Sequence, residues 1–472
     1  MTNLENFFYQ GVPVSKIIRV PAYSHLHRRT IWKNTRFILF ILNLFPLFRG
    51  LWKIICKPRM NADMKINENS DKFFLVVIDH NIKSHIQTEL NITEALKFNT
   101  KIVTSEFSVS RNLRKLFNDH YNVLELVGYP GLTRQNLSFI RSFYKLVKNI
   151  EGHWSFKIEL CFLLLRAIGF IEFYNRNLNK ENIMGILTLC DLFPHEFIVT
   201  FIAKKKRIPT FTLQHGMFNP LFLKVESDKI FVWGTSAKSQ LISAKVPLER
   251  IEIAGKPGFD LETRNFLNNP QAFKTQFVKK YSLPTGKLIV AYVATNWGMY
   301  ENKEFFDAFS VIFKMDMISI IKLRPQPGFI QKKYYQRWLQ KSEVGKKHLL
   351  FTNENIFEMY KGIDLLVTCH SASPVEAMCY GVPAILLDFF DYMNVKDMVT
   401  HYNDCLVVKN KNQFKKLLER LFAERDYLDS LKIKALENSK KYFFSPEKAT
   451  VSEFTATRIE TMVNENEAFF LA

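Results

Sequence analysis

Short apolar runs alternate with longer helix-like stretches over most of this chain. Each run has three to seven residues rich in Val, Ile, Leu and Phe, which is typical of strands buried on both faces of a parallel sheet. The runs of the first half are 73–78, 102–107, 123–127, 186–189, 211–213, 230–233 and 251–254. Those of the second half are 288–294, 319–323, 349–351, 364–368, 384–387 and 405–408. The very apolar stretch 156–174 predicts a buried crossover helix.

The alternation weakens after residue 255 and restarts after residue 286, and Pro and Gly signal turns between them. The pattern predicts two α/β units of similar size, 62–260 and 284–472, joined by a linker at 261–283. We expect each unit to be a Rossmann-like, doubly wound parallel sheet with helices on both faces. Ligands of such sheets bind at the carboxyl ends of the strands, so the active site is expected in a cleft where two such edges face each other.

The composition is that of an ordinary globular protein, with 472 residues, of which 47% are hydrophobic and 23% are charged. The six Cys contain no Cys-x-x-Cys pair, which argues against a zinc ribbon or a disulfide framework and fits a reducing cytoplasm. Neither the dinucleotide-binding Gly-x-Gly-x-x-Gly nor the P-loop motif occurs, so NAD-dependent dehydrogenases and P-loop NTPases lack their main sequence evidence. We predict no cofactor and no bound metal ion.

The net charge of +20 is concentrated near the N-terminus. Residues 1–61 carry ten Lys and Arg but a single acid, Glu5, and they include an apolar run, 37–48. As a helix this run spans about 18 Å, which is too short for a bilayer core of about 30 Å. It predicts either a segment lying in the interface of an anionic membrane, on the cytoplasmic side, or a helix packed on the protein's own core.

A basic chain can also bind nucleic acid. A nucleic-acid surface interleaves aromatic and basic side chains, whereas here the basic excess lies beside a run of Phe. We therefore expect an anionic membrane surface, and not nucleic acid, as a partner.

The sharpest local motif, 369–383, lies between two predicted strands. Ser371 and Ser373 stand, with His370, at a turn from strand to helix, where hydroxyls and helix N–H groups together bind phosphate. Glu376 lies in the first helical turn, where a carboxylate can accept hydrogen bonds from ribose. The same residues also form a capping box with Pro at the first helical position, and that arrangement needs no ligand.

A second motif, Gln214-His215-Gly216, follows the predicted strand 211–213. A His at the carboxyl end of a strand can act as a general base because its usual pKa lies near neutrality, although a lone His is more often structural. Asp191 ends an earlier predicted strand in the same way. It is a second candidate base, or else the N-cap of the helix that follows.

Polar residues follow two further predicted strands of the second half. Thr295 and Asn296 come directly after the first of these strands. Lys322 and Arg324 flank Leu323 at strand spacing, so both side chains point to one face. Two cations beside a cleft suit a diphosphate or a carboxylate, whereas on an ordinary surface they carry no function.

Several of these segments occur in an order that is found in a known family. They are LQHG (213–216), FVWG (231–234), IAGKPGFD (253–260), IKLRP (321–325) and CHSASPVEAMCYGVP (369–383). On these segments, which span about residues 180–410, the chain resembles GT-B glycosyltransferases. It looks most like the bacterial enzymes that build capsule and other surface polysaccharides.

The resemblance implies roles for four residues. Ser371, Ser373 and Glu376 take the positions that bind the diphosphate and ribose of a nucleotide-sugar donor. His215 takes the position of a His that lies in the cleft near the transfer site. The segment 381–383 shapes the turn that follows the donor helix.

The chain departs from the family pattern at two positions. Arg324-Pro325 stands where many relatives have His-Pro, so a donor contact through His is not expected there. Thr368 stands where retaining relatives often carry a second Glu, which favours an inverting reaction.

The sequence therefore predicts an α/β protein of two Rossmann-like domains facing across a cleft, with a basic, apolar N-terminal extension. By resemblance it transfers a sugar from a nucleotide-sugar donor to a glycan or lipid-linked glycan without a metal. His215 or Asp191 acts as base, and Lys322, Arg324 and the helix near Ser373 stabilise the leaving diphosphate. The alternatives are a polyol-phosphate (CDP-glycerol-type) transferase, a nucleotide-sugar epimerase, and a non-catalytic scaffold or nucleic-acid binder.

Overall fold

The computed structural model describes most of the chain. The described residues are 8–17, 72–79, 83–105, 123–126, 134–148, 154–218, 223–294, 299–323, 335–336, 348–352, 354–369, 371–390 and 404–471. Predictions that concern the apolar run 37–48, Thr295, Asn296, Arg324 and His370 lie outside these residues.

The first unit follows a short hairpin and contains seven strands. The hairpin strands are β1 (Phe8–Tyr9) and β2 (Val12–Pro13). The sheet strands are β3 (Phe73–Val77), β4 (Thr100–Thr104), β5 (Val123–Glu125), β6 (Ile183–Thr188), β7 (Thr210–Leu213), β8 (Lys229–Val232) and β9 (Ile251–Ile253). The helices are α1 (Lys83–Ala95), α2 (Arg134–Val147), α3 (Trp154–Asn177), α4 (Pro194–Lys205) and α5 (Thr235–Ser243), with a 3-10 turn at Leu248–Arg250.

The second unit contains six strands. They are β10 (Ile289–Val293), β11 (Ile318–Lys322), β12 (His348–Phe351), β13 (Leu365–Thr368), β14 (Ala384–Leu387) and β15 (Leu406–Val408). The helices are α6 (Phe259–Asn268), α7 (Pro270–Lys280), α8 (Met299–Phe309), α9 (Ile356–Tyr360), α10 (Ser373–Met378), α11 (Lys411–Ala423), α12 (Arg425–Tyr442) and α13 (Val451–Leu471), with a 3-10 turn at Ser310–Lys314.

Both sheets are parallel and doubly wound. The first has the order β5-β4-β3-β6-β7-β8-β9 and the second the order β12-β11-β10-β13-β14-β15. The chain reverses its direction across the first sheet between β3 and β6, where Val77 pairs with Thr188. It reverses across the second between β10 and β13. The predicted architecture of two parallel α/β units is confirmed.

Each sheet is buried on both faces, as its continuous apolar strands predict. In β3, Phe73, Leu75 and Val77 join one core, which includes α3 and α4, while Phe74 and Val76 join a second core on the opposite face. The second sheet is sandwiched in the same way between two cores. Burial on both faces leaves the two ends of each sheet as the places where polar side chains can meet a ligand.

Two segments pack differently from the sequence-based division into domains. The predicted linker 261–283 lies largely within α6 and α7, and its Phe266 and Phe277 are buried in the core of the second sheet. The last helix, α13, returns to the first unit, where Ala456 and Ile459 are buried in the core beside α1.

The described N-terminal residues pack on the first unit. Tyr9, Val12 and Ile17 are buried in its core, and Lys16 forms an ion pair with Glu226 at 2.7 Å. Residues 8–17 therefore pack on the core of the first unit, whereas both alternatives for the apolar run 37–48 stay predictions. Within the described part of the chain, no helix combines the length and the apolar character needed to cross a membrane.

Candidate active site

The carboxyl edges of the two sheets meet. Met217, in the loop after β7, packs against a cluster formed by α10, the helix that follows β13, and α12, whose buried members are Val375, Met378, Ala435 and Tyr442. Trp233, which follows β8, stacks on Phe443 with the ring centroids 5.6 Å apart. A cleft lined by the strand ends of both units is therefore closed on one side by direct contacts between them.

Glu376 of α10 reaches across this cleft. Its Oε1 accepts a hydrogen bond from the Nζ of Lys256, which follows β9, and its Oε2 accepts one from the hydroxyl of Tyr360 at 3.3 Å. Helix α10 is capped at Ala372 without a side-chain hydrogen bond, so the capping box that the sequence also allowed does not form. The carboxylate is instead held in the cleft.

Ser371 and Ser373 lie together at the start of α10. The Ser373 N–H donates to the Ser371 hydroxyl at 3.1 Å, and the two hydroxyls are 2.8 Å apart. Glu376 lies one turn further along the same helix. Burial and the charge of Glu376 raise the pKa of Tyr360 well above its usual value, so this hydroxyl remains a hydrogen-bond donor at neutral pH.

His215 is half-buried at the end of β7, with the edge of its ring against Phe193 at a centroid distance of 5.6 Å. Together with Gly216 and Asp191 it lines a small pocket between the ends of β6 and β7. Among the described residues, no heavy atom lies within 4 Å of the place where Gly216 would carry a Cβ. The backbone beside His215 is therefore open to an approaching ligand.

Gln214 shapes this loop. Its amide N–H donates to the carbonyl of Gly216 at 2.8 Å, and its amide oxygen accepts from the N–H of Trp233 at 2.8 Å. The side chain is almost fully buried. Because both ends of the amide bind backbone, Gln214 positions the turn that carries His215.

Asp191 is buried, and its carboxylate also accepts hydrogen bonds from the backbone. Its Oδ2 accepts hydrogen bonds from the N–H groups of Glu226 at 2.8 Å and Ser227 at 2.6 Å. Burial raises the pKa of this carboxyl, an effect that the Ser227 and Glu226 hydrogen bonds oppose. The alternative of an N-cap is wrong, because α4 is capped at Phe193 without a side-chain bond. Asp191 fixes the 226–227 turn beside the pocket.

Lys322 is buried at the end of β11. Its Nζ donates to the carbonyl oxygens of Leu323 at 3.0 Å and Thr352 at 3.4 Å. Burial lowers the pKa of this ammonium. In this structure the ammonium binds two backbone carbonyls at strand ends, and its predicted contact with a diphosphate stays a prediction.

A polar cluster lies at the reversal point of the first sheet. The sequence offers His195, after the predicted strand 186–189, as a candidate but does not identify its partners Asp79 and Tyr174. His195 Nδ1 lies 2.7 Å from Asp79 Oδ2, and His195 Nε2 lies 2.6 Å from the hydroxyl of Tyr174. Burial raises the pKa of Asp79, but His195 and Ser105 outweigh it, so the pKa of this carboxyl lies well below its usual range. Asp79 directly follows a predicted strand, which is the signal that could have identified it.

Lys256 is a candidate that the sequence offers at the end of a predicted strand, within the segment 253–260. In the structure it follows β9. In the described residues, no group of three His, Cys, Asp or Glu side chains is arranged to hold a metal ion.

No protein family and no characterised protein matches this chain at the level of sequence. Solved structures do match it. A glycosyltransferase from Rickettsia africae is 13% identical with a TM-score of 0.52, and the match covers 84% of this chain and 99% of that one. A UDP-GlcNAc 2-epimerase from Neisseria meningitidis, bound to UDP-GlcNAc, is 14% identical with a TM-score of 0.51, covering 83% and 99%.

The wall teichoic acid polymerase TagF is 13% identical with a TM-score of 0.50, and the match covers 90% of this chain and 98% of TagF. The protein has the GT-B fold. Enzymes of this fold include transferases, a polymerase and epimerases, so the fold alone leaves the reaction open.

Proposed function

We propose that this protein is a GT-B glycosyltransferase that moves a sugar from a nucleotide-sugar donor to a growing surface glycan, such as a capsule or lipopolysaccharide chain. The main support is a contact across the cleft between a loop of the first unit and helices of the second unit. The loop that carries His215 packs, through Met217, on the cluster that α10, the helix of Glu376, forms with α12. A base from one unit and a donor-binding helix from the other thus open onto the same space.

The second unit binds the donor in this proposal. Glu376 accepts a hydrogen bond from a ribose hydroxyl, and the hydroxyls of Ser371 and Ser373 donate to the diphosphate. The buried Tyr360 holds the carboxylate, because its hydroxyl donates to Glu376 at 3.3 Å. Thr295, Asn296, Arg324 and His370 remain candidates for further donor contacts.

The first unit binds the acceptor. The acceptor hydroxyl transfers its proton to His215 as its oxygen forms a bond to the anomeric carbon. The bond from that carbon to the diphosphate oxygen breaks, and the electron pair leaves with the nucleoside diphosphate. His215 is preferred to Asp191 as the base, because the Asp191 carboxylate holds two backbone N–H groups.

We expect the reaction to invert the anomeric centre and to need no metal. Retaining relatives often carry a Glu where Thr368 stands, and the Thr368 hydroxyl donates to the carbonyl of Val293 at 2.9 Å. Thr368 therefore supplies no carboxylate that could form a bond to the sugar. Loss of turnover on addition of EDTA would contradict the metal-independent part of the proposal.

The proposal also places the protein on the cytoplasmic face of an anionic membrane, where lipid-linked acceptors are found. The support is the excess of Lys and Arg in residues 1–61 beside the apolar run 37–48. Residues 8–17 pack on the core of the first unit. The membrane contact is therefore assigned to the part of residues 1–61 that follows residue 17.

A donor screen tests the proposal. UDP-, CMP-, GDP- and CDP-linked donors are added singly, and the right donor should raise the melting temperature by mass action. Turnover is then followed with and without a glycan acceptor. Sugar transfer that is lost in His215→Ala and Glu376→Ala supports the proposal.

Other products identify the alternatives. Isomerisation of the donor without acceptor indicates an epimerase, and release of CMP from CDP-glycerol indicates a polyol-phosphate transferase. Failure to bind any nucleotide sugar, together with salt-sensitive binding to DNA, indicates a non-catalytic nucleic-acid binder.

A further inference from the structure

Lys256 occupies an aromatic enclosure in the cleft. Its ammonium lies 4.9 Å from the ring centroid of Trp233, 5.1 Å from that of Phe259 and 5.8 Å from that of Phe357. The fourth contact of the ammonium is the ion pair with Glu376. A single lysine of the first unit therefore neutralises the carboxylate that the proposed function assigns to donor ribose.

The environment makes this ion pair hard to break without compensation. Only 18% of the Lys256 side chain and 12% of the Glu376 side chain are exposed. A charge in such surroundings loses most of its hydration, so removal of its partner leaves it strongly destabilised. The aromatic rings attract the cation but carry no net charge to replace the carboxylate.

A ribose that binds Glu376 competes with the Lys256 ammonium for this half-enclosed carboxylate. A neutral nucleoside offers hydroxyls to the carboxylate but nothing to the displaced cation. A nucleoside diphosphate offers both, because its phosphate oxygens can accept the ammonium while its ribose binds Glu376. The lysine stem is flexible enough for such a short transfer within the cleft.

The position of the diphosphate follows from the order of residues in α10. Ser373 begins this helix and Glu376 lies in its first turn, where its Oε2 accepts from the hydroxyl of Tyr360 at 3.3 Å. Phosphate bound by the serine pair would thus lie one helical turn away from the carboxylate that Lys256 now contacts. The ammonium needs to move only from one of these groups to the other.

We propose that Lys256 is a donor-binding residue, which leaves Glu376 and binds the diphosphate when the nucleotide enters. The inference rests on the proposed function of the cleft and adds to it a residue from the first unit. It means that the unliganded site selects for a charged nucleotide over the matching nucleoside, because only the former restores charge balance at both Lys256 and Glu376.

Two variants with opposite expected effects test this inference. Binding of UDP and uridine is measured by titration calorimetry, with uridine measured by displacement of UDP, and is repeated with the CDP, GDP and ADP pairs. In Lys256→Met the preference for diphosphate over nucleoside should fall about tenfold or more. In Glu376→Gln the preference should rise, because Lys256 is freed for phosphate while the ribose contact weakens.

The controls separate binding from folding. Lys256→Arg keeps the charge and should retain most of the preference. Lys274→Met removes a lysine ion pair with Asp364 at the opposite edge of the second sheet and should leave the preference unchanged. Melting temperatures of the unliganded variants identify any that fail to fold, in which case Glu376→Gln and Lys256→Arg carry the test.

Three results would overturn the inference. The first is a preference in Lys256→Met equal to that of the wild type, and the second is a parallel loss in both Lys256→Met and Glu376→Gln, as a purely structural ion pair would give. The third is a wild-type protein that binds none of the nucleoside diphosphates, and this result also removes the proposed function. The first two leave the proposed function standing.

Discussion

His195 Nδ1 lies 2.7 Å from Asp79 Oδ2 at the point where the chain reverses its direction across the first sheet. The pair is completed by Ser105, whose N–H and hydroxyl both donate to the same carboxylate, the N–H at 2.7 Å and the hydroxyl at 2.5 Å. Three separate segments of the first unit are therefore held together by one acidic side chain. Its protonation state should be visible in the stability of the whole unit.

We expect Asp79→Asn to destabilise the protein by about 2 kcal/mol or more at neutral pH, because the charged acceptor of several buried hydrogen bonds is lost. The folded-state pKa of Asp79 lies below its ordinary value of 3.8, so its contribution is present above that value and is lost as the pH falls. The free energies of unfolding of wild type and variant, measured with urea, should thus differ fully at about pH 6. The difference should shrink progressively as the pH falls below about 4.

The matched variant Ser105→Ala removes only the hydroxyl donor and should cost about 1 kcal/mol. A difference between wild type and Asp79→Asn that grows on acidification would contradict the assignment of this carboxylate as the charged partner.

Gly255 is expected to tolerate no side chain. Its φ is +97°, and an added Cβ would lie 2.7 Å from a methyl group of Val451 and closer still to the carbonyl oxygen of Phe444. Gly255→Ala should lower the stability by about 3 kcal/mol or more, because backbone strain and a clash with the returning C-terminal segment add together.

Gly286 provides the matched control. Its φ is +75°, but no described heavy atom lies within 4 Å of an added Cβ. Gly286→Ala should therefore cost only the conformational strain, about 1 kcal/mol. Equal melting temperatures for the two variants would show that the clash at Gly255 does not lower the stability further.

The two candidate bases are expected to fail in different ways when they are replaced. His215→Ala should fold with nearly wild-type stability and lose about 100-fold or more in turnover, since a general base contributes about that much. Asp191→Asn should instead lower the melting temperature, because a charged acceptor of two backbone N–H groups is worth about 2 kcal/mol.

The discriminating measurement is turnover per folded molecule at saturating donor and acceptor. If Asp191→Asn folds normally yet loses turnover, while His215→Ala retains it, the roles that we assign to these two residues are reversed.

Membrane binding should depend on the basic residues near the apolar run 37–48. The fourfold variant R28Q/R29Q/K33Q/R36Q should bind vesicles with anionic lipid about 1,000-fold more weakly, since each basic residue near the surface contributes about 1 kcal/mol. Co-sedimentation with phosphatidylglycerol vesicles measures the change. The control K411Q/K416Q/K434Q/K440Q removes four exposed lysines from the second unit and should have little effect.

Equal loss of binding in both fourfold variants would indicate that only the total charge matters. Equal binding of the wild type to neutral and anionic vesicles would remove the electrostatic membrane contact altogether.

The strands of both sheets could be predicted because their signal is local. Runs such as 73–78 and 289–293 are buried on both faces, so every residue in them is apolar and the run stands out from its neighbours. The pairing of the strands in parallel sheets then follows from the helices between them. The predicted strand 384–387 coincides with β14.

The contacts of the cleft could not be predicted in the same way. Lys256 and Glu376 are separated by 120 positions, and nothing in either segment signals the other. The sequence also does not predict that Gln214 and Asp191 accept hydrogen bonds from the backbone. Their donors, the N–H groups of Trp233 and Ser227, lie in other segments of the chain. The sequence locates polar residues at strand ends but does not reveal which of them bind the protein itself.

Pro and Asn interrupt the α6–α7 segment, and the sequence therefore predicts a linker there. Asn269 and Pro270 in fact mark the junction of two helices, with the Asn269 side chain accepting from the N–H of Ala272. Likewise, the apolar spacing of α13 predicts a helix but does not specify the sheet on which it packs.

The return of α13 to the first unit has a consequence for the order in which the protein is made. Ile86 and Leu90 of α1 share a core with Ala456 and Ile459, which leave the ribosome more than 350 residues later. A nascent first unit must therefore keep an apolar strip uncovered throughout synthesis of the second. Newly made chains should be retained by chaperones until translation is complete, and messages truncated before codon 451 should yield protein that is rapidly degraded.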